Sequence, residues 1–396
     1  MNRRRSKLTA RLWRFSSQWF LIPQGTGIVA IILHQLKYQF HGLETISEIV
    51  WVYTIVLLSV FILLYMLRVC VYPRHVAAEY RTNIAETSCL ASIGIALTTI
   101  TQMIALTLVK QWGPSWGIVA YVFWWIVTSM AVVSLHLITY VHVKVQPPGV
   151  TDMSPQMLLP LIAALTSAAA GGTLCVYGAL SPALQGPILV VAYLEIGAAL
   201  PLAICMVGIF QSRLINRGFP SIEHVCEDMI LCGPFGQGSF ALLIAGRAIQ
   251  NNVSSANVSQ YNLGDFLTAQ SAGALGTASE FAGLLVWGCA TFWWVYGVIG
   301  IVHTLAVQMY RTETRQGLRF SMGAWSLVFP MGVYTNATVQ LGQLMHSPAF
   351  NVWSTILLIM LLLIWIANHV FTIKGLITGS LLGPEALGLK QERSAV

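Results

Sequence analysis

Five ionisable residues interrupt otherwise apolar stretches of this sequence: Glu86, His136, Glu195, Glu280 and His303. Such groups are costly in a hydrocarbon surrounding, so a functional role is their default reading. They nevertheless form no catalytic set. No HExxH, GxSxG or Walker A pattern occurs, and no His pair has haem spacing. The seven cysteines (Cys70, Cys89, Cys175, Cys205, Cys226, Cys232 and Cys289) contain no CxxC pair and no Cys/His cluster with metal-ligand spacing. Neither an enzyme, a metal site nor a cofactor is expected. The polar groups left to contact a solute are milder: the amides of Gln24 and Gln237, and the small residues around them in Gln24-Gly25-Thr26-Gly27, Gly171-Gly172-Thr173 and Gly236-Gln237. Arg247 stands near the end of one such stretch, as a mouth charge or as a snorkelling surface residue. Hydroxyls, amides and freed backbone groups, with basic residues at the mouths, suit a small, weakly held anion. No Asp/Glu ring offers a cation path.

The elements that must position these groups follow from composition. Of the 396 residues, 56% are hydrophobic and only 9% charged, against roughly a quarter charged in a soluble domain. The apolar residues come in runs of roughly 18 to 26, enough to cross a ~30 Å hydrocarbon core as helices. Nothing alternates with period two, which excludes a β-barrel. Ten spans are read, at 19–36, 49–71, 84–109, 116–141, 157–180, 187–210, 229–249, 280–307, 320–344 and 352–373. The expected fold is therefore all-α and integral to the lipid bilayer. A basic N-terminal tail (1–18) and a C-terminal tail (374–396) flank a transport domain over 19–373.

Charge sets the orientation. With the N-terminus in the cytosol, 18 of the 21 Lys and Arg fall on that side, leaving only Lys37, Lys110 and Arg247 outside. Both termini are then cytosolic. The net charge of +7 is thus a topology signal and implies no nucleic-acid partner. The longest external loop carries glycosylation sequons at Asn252 and Asn257. A third, at Asn336, lies inside a span and is not expected to be modified.

The spans are of two kinds. Odd-numbered ones are rich in Gly, Ala, Ser, Thr and mid-helix Pro, as in Gly233-Pro234 and Phe329-Pro330. Even-numbered ones are bulkier, as in Phe123-Trp124-Trp125 and Phe292-Trp293-Trp294, although the sixth carries Gly197 and Pro201. Small residues let backbones approach, and Pro needs protein or water to satisfy the groups it frees. The odd spans should form an inner ring of five around a pore, wrapped by five outer helices. His136, Glu195 and His303 then sit on outer helices and read as hydrogen-bonding braces.

Trp19-Phe20 followed by Gly25-Thr26-Gly27, Arg319-Phe320 followed by Trp325 and Phe329-Pro330, and Gly233-Pro234 followed by Gly236-Gln237 together resemble the tellurite-resistance/dicarboxylate transporter family. That family includes fungal sulfite efflux pumps, yeast malate permeases and plant slow-type anion channels. The third motif is most similar to the sulfite pumps. The resemblance spans the hydrophobic chain. It implies five hairpins around a quasi-fivefold axis, a homotrimer with a pore in each protomer, and an aromatic gate on the ninth helix. That gate maps to Phe329, roughly 12 Å deep by helical rise, with Pro330 kinking the helix beside it and Phe320 as the alternative. The implied function is a plasma-membrane anion exporter, with sulfite or bisulfite as cargo. A malate or C4-dicarboxylate transporter and a gated small-anion channel of the same fold are the alternatives.

Overall fold

A computed structural model describes residues 11–147, 149, 153–221, 224–253, 258–261, 263–264, 267–310 and 320–382; no β-strand occurs among them. Among the described residues ten long helices carry the architecture: α1 Leu21–Gln35, α2 Leu43–Val71, α3 Ile84–Trp112, α4 Ser115–Lys144, α5 Pro155–Tyr177, α6 Pro182–Arg217, α7 Val225–Asn251, α8 Ala269–Tyr310, α9 Val328–Leu344 and α10 Pro348–Thr378. All but α1 and α9 are individually long and apolar enough to cross a membrane. Those two have 15 and 17 α-helical residues, but each continues a 3₁₀ stretch, Ser17–Phe20 and Met322–Leu327. At 1.5 Å rise per α residue and 2.0 Å per 3₁₀ residue, the composites reach roughly 30–38 Å.

Burial separates the helices as the small-residue pattern predicts. The apolar stretches of α5 and α7 are 94% and 100% buried and that of α3 is 78% buried, whereas those of α2, α4, α6, α8 and α10 lie between 22% and 44%. Nearly every residue of α1 and α9 is buried as well. The buried helices pack in sequence, α1 on α3, α3 on α5, α5 on α7 and α7 on α9, and α9 returns to α1. Each outer helix packs on the buried helix before it and on the next one round the ring.

Glycine makes the closest of these approaches possible. A Cβ on Gly27 would lie 2.0 Å from Thr99 Oγ1 of α3, and one on Gly236 would lie 2.9 Å from the Tyr334 backbone nitrogen of α9. Outer helices brace the ring through their indoles. Trp365 Nε1 donates to Thr26 Oγ1 at 3.1 Å, Trp287 Nε1 to Thr338 Oγ1 at 2.9 Å, and Trp124 Nε1 to the Ser167 carbonyl at 3.0 Å.

The prolines of the buried helices do not sit mid-helix as expected. Pro23, Pro160, Pro234 and Pro330 occupy the second or third residue of an α segment that follows a 3₁₀ stretch. The missing N–H is tolerated there, and 3₁₀ bonds take up carbonyls the ring would leave orphaned. Gln156 O accepts from Leu159 N and Ile230 O from Gly233 N. Pro330 therefore marks a change of helix type rather than a mid-helix kink. The prolines inside a helix are Pro187 and Pro201 of the outer α6. Outer helices also run beyond the predicted spans: α2 starts at Leu43, α6 covers Pro182–Arg217 and α8 starts at Ala269. Their polar ends carry no hydropathy signal yet remain helical.

Candidate functional site

The hydroxyls of the buried helices are mostly engaged by their own backbones. Thr26, Thr98, Thr166, Thr173, Thr335 and Thr338 each donate to the carbonyl four residues back, at 2.7–2.9 Å. They are consequently poor donors to a solute, contrary to the sequence expectation. Thr26 additionally accepts from Trp365, so it serves the outer wall.

Amides behave differently. Gln24 Oε1, Gln102 Nε2, Gln237 Oε1 and both polar atoms of Asn336 are buried without a hydrogen-bond partner. These four residues are at most 1% exposed and come from α1, α3, α7 and α9. Glycine contacts fix their relative level. Gly25 lies against Val328, Gly27 against Thr99 and Gly236 against Tyr334. On that register Gln24 and Phe329 lie within roughly 3 Å of one level, and Gln102, Gln237 and Asn336 follow roughly 9–13 Å beyond Gln24.

Phe329 is 2% exposed, in the first turn of α9. Among the described residues it stacks on no aromatic ring, whereas Phe320 packs against Phe371 of α10 at 5.7 Å. The predicted glycines act at helix contacts. Gly25 faces α9, Gly27 faces α3, Gly172 faces α7 and Gly236 faces α9, while Gly171 turns outward to Trp124 and Ile188.

Both ends of the ring open into cavities. At the N-terminal ends of the buried helices, about 670 Å³ lies between Gln18, Ser154, Gln156, Arg213, Glu227 and Asp228, among others. Behind it, Glu86 of α3 pairs with Arg68 of α2, both buried. At the opposite end, about 460 Å³ opens between His34, Gln35, Lys110, Tyr177 and Gln343. Arg247 adjoins this second cavity. Its Nη1 donates to Gln343 Oε1 at 3.0 Å and Gln340 Oε1 at 3.4 Å, and its guanidinium lies 5.8 Å from the Tyr177 ring centroid. It thus faces neighbouring buried helices and does not snorkel from the outer wall.

The other ionisable residues lie off this line. His136 bonds to its own Val132 carbonyl at 2.9 Å on the outer face, and His303 lies 5.7 Å from Phe219. Glu280 accepts from Gln250 Nε2 at 3.0 Å. Glu195 is 4% exposed on α6, with both carboxyl oxygens unpartnered and the Ser167 hydroxyl of α5 within interaction range. The Asn252 backbone lies in the π-helical turn Ile249–Val253, just past the end of α7. Asn257 lies outside the described residues, as do 1–10 and 383–396 of the two tails.

Sequence reasoning missed Asn336 and Gln102. In the sequence Asn336 reads as a sequon inside a span, and Gln102 stands among threonines. The available signal was a side-chain amide in mid-span, the same that marked Gln24 and Gln237.

Comparison with known proteins identifies the family. A family model described as voltage-dependent anion channel matches residues 14–373. The sulfite efflux pump SSU1 of Arthroderma benhamiae is 26% identical over 364 residues, covering 91% of this chain and 90% of that protein. The malic acid transport protein of Schizosaccharomyces pombe is 22% identical, over 95% of this chain and 82% of its own length. An uncharacterized transporter of Methanocaldococcus jannaschii is 21% identical over 93% of this chain and 96% of its own. The family is made of channels and transporters rather than enzymes. With 360 of its residues inside one family model, the chain is an anion-transporting membrane protein and belongs to the voltage-dependent anion channel family.

Proposed function

We propose that this protein is a plasma-membrane exporter of a small inorganic anion, sulfite carried as bisulfite, which crosses along the centre of the five buried helices. The observation that carries the reading is the set of buried, unpartnered amides on four of those helices: Gln24, Gln102, Gln237 and Asn336. An apolar bundle gains nothing from them, since each buried unmade hydrogen bond costs about 1–3 kcal/mol. An anion shedding its water recovers part of that cost by accepting from Gln102 Nε2 and Asn336 Nδ2, the unpartnered donors of the set. Uncharged donors also hold it weakly enough to let it leave.

In this reading all ten helices cross the bilayer, as five hairpins about a quasi-fivefold axis, and three protomers assemble with one pore each. The positive-inside bias puts both termini, and the N-terminal ends of the buried helices, in the cytosol. Those ends carry positive dipole charge toward an arriving anion. Export of a monoanion from a cell with a negative-inside potential is downhill by ~2.3 kcal/mol per 100 mV. Phe329, near the level of Gln24, is the gate.

The sulfite pump at 26% identity over nearly the whole chain supports the cargo. A dicarboxylate would call for two separated basic contacts along the path. Among the described residues of the buried helices the only Lys and Arg are Lys110 and Arg247, both at the outer end. Restored growth on sulfite of a cell lacking its own exporter, with efflux of labelled sulfite from proteoliposomes of the purified protein, is the expected result. Purified protein that moves labelled malate but no sulfite overturns the reading.

A further inference from the structure

The 460 Å³ cavity at the C-terminal ends of the buried helices has the composition of a binding site. No carboxylate lines it. The acids that act on this end lie around it, and of these Glu280 acts on Arg247 through space, with its Oε1 unpartnered. Glu44 meets Lys110 at 3.6 Å in an exposed, weak pair, Glu48 accepts from Gln111 Nε2 at 2.6 Å, and Glu280 accepts from Gln250 Nε2 at 3.0 Å. Arg247 has no carboxylate within ion-pair distance among the described residues. Its Nη1 is held by the neutral oxygens of Gln340 and Gln343.

The amides behind it form a chain. Gln340 Nε2 donates to Gln35 Oε1 at 3.2 Å, and Gln343 Nε2 donates to the Gln35 carbonyl at 2.9 Å. Gln35 is 7% exposed and lines the cavity, yet its Nε2 has no partner. A buried amide without an acceptor is costly. Here it stands beside a guanidinium oriented by neutral amides and a lysine at the rim. That donor set matches a small oxyanion, which accepts several charge-assisted hydrogen bonds at once.

We propose that this cavity binds a small oxyanion from the outer side, between Arg247, Lys110 and the Gln35 amide, as a release station separate from the amide level around Asn336. It rests on reading the ring as an anion pathway. Oxyanion in the outer medium occupies the station and competes with anion leaving the pore.

The test uses inorganic sulfate as the probe and the whole purified protein in detergent, followed by thermal unfolding. Sodium gluconate at matched ionic strength is the control. Sulfate should raise the unfolding temperature of the wild type in a saturable way. Arg247→Gln and the near-isosteric Gln35→Glu should each need at least about tenfold more sulfate for the same rise. His303→Gln, on the outer wall away from this cavity, should keep the wild-type dependence. No saturable rise in the wild type, or an equal dependence in both cavity variants, overturns the proposal. The second result would assign the effect to the pore or to general salting-out. Labelled-sulfite efflux from proteoliposomes of the wild type separates the two readings. A protein that binds sulfate here but moves no sulfite removes the proposed cargo and leaves the site standing.

Discussion

Replacing Glu86 by alanine tests how the buried helices are held at their N-terminal ends. Glu86 and Arg68 are 1% and 2% exposed. Glu86 Oε1 accepts from Arg68 Nη1, and from Tyr65 OH at 2.9 Å. Its Oε2 accepts from Ser17 N at 2.9 Å and from Ser17 Oγ at 3.2 Å. One carboxylate thus ties the 3₁₀ lead-in of α1, the outer α2 and the first turn of α3. Two of the four donors keep a partner without it. Tyr65 OH is 2.7 Å from Tyr80 OH, and Ser17 Oγ donates to the backbone carbonyl of residue 86 at 2.6 Å. The Ser17 amide does not, and the Arg68 guanidinium is left with no hydrogen-bond acceptor, only its place 5.6 Å from the Tyr65 ring centroid.

An unsatisfied buried amide costs about 1–3 kcal/mol, and a buried charge stripped of its partner about 3–5 kcal/mol. The two penalties arise in one network and overlap rather than add. A loss of about 4 kcal/mol is therefore expected. Arg68→Met combined with Glu86→Leu should cost clearly less than Glu86→Ala, because no unpaired charge remains. The check is denaturant unfolding in detergent for the wild type, Glu86→Ala, the singles Arg68→Met and Glu86→Leu, and their double variant. A Glu86→Ala loss below about 1 kcal/mol, or a double variant as unstable as the two singles summed, refutes the account.

Three further outcomes follow from the same geometry. Phe329→Ala should raise anion flux in proteoliposomes while the protein stays folded, and unchanged flux in a folded variant rejects this ring as the gate. Asn336→Leu should lower flux by roughly tenfold yet leave the unfolding midpoint unchanged or higher, because it removes a buried group with no partner to lose. A drop in stability instead would mean that Asn336 is a structural residue. Gly27→Ala places a Cβ 2.0 Å from Thr99 Oγ1, so α1 and α3 must separate; a loss of about 1–3 kcal/mol is expected by overpacking, measured by the same unfolding assay.

Much of the fold is legible in the chain because a bilayer leaves few choices. Long apolar runs must be helices, and small residues mark those whose backbones touch other helices. Gly27, Gly172 and Gly236 all appear in the sequence as small-residue signals, and each faces a neighbouring buried helix. Their part in a pathway was harder to read, since glycine at a helix contact and glycine beside a solute look alike in one dimension. Proline misled for a related reason. Its position within a span does not say whether the turn before it is 3₁₀ or α, and a 3₁₀ turn removes the conflict.

The sequence by itself determined the helical membrane class and the alternation of buried and exposed helices, because these follow from composition, spacing and the cost of polar groups in hydrocarbon. Only the tertiary structure decided which polar groups are free. The threonines look like donors in the sequence, but their hydroxyls are engaged one turn back on their own helices. Gln102 and Asn336 look incidental, yet they are buried with atoms unpartnered. Availability of a hydrogen bond depends on neighbours brought together from distant parts of the chain, and no local pattern records it.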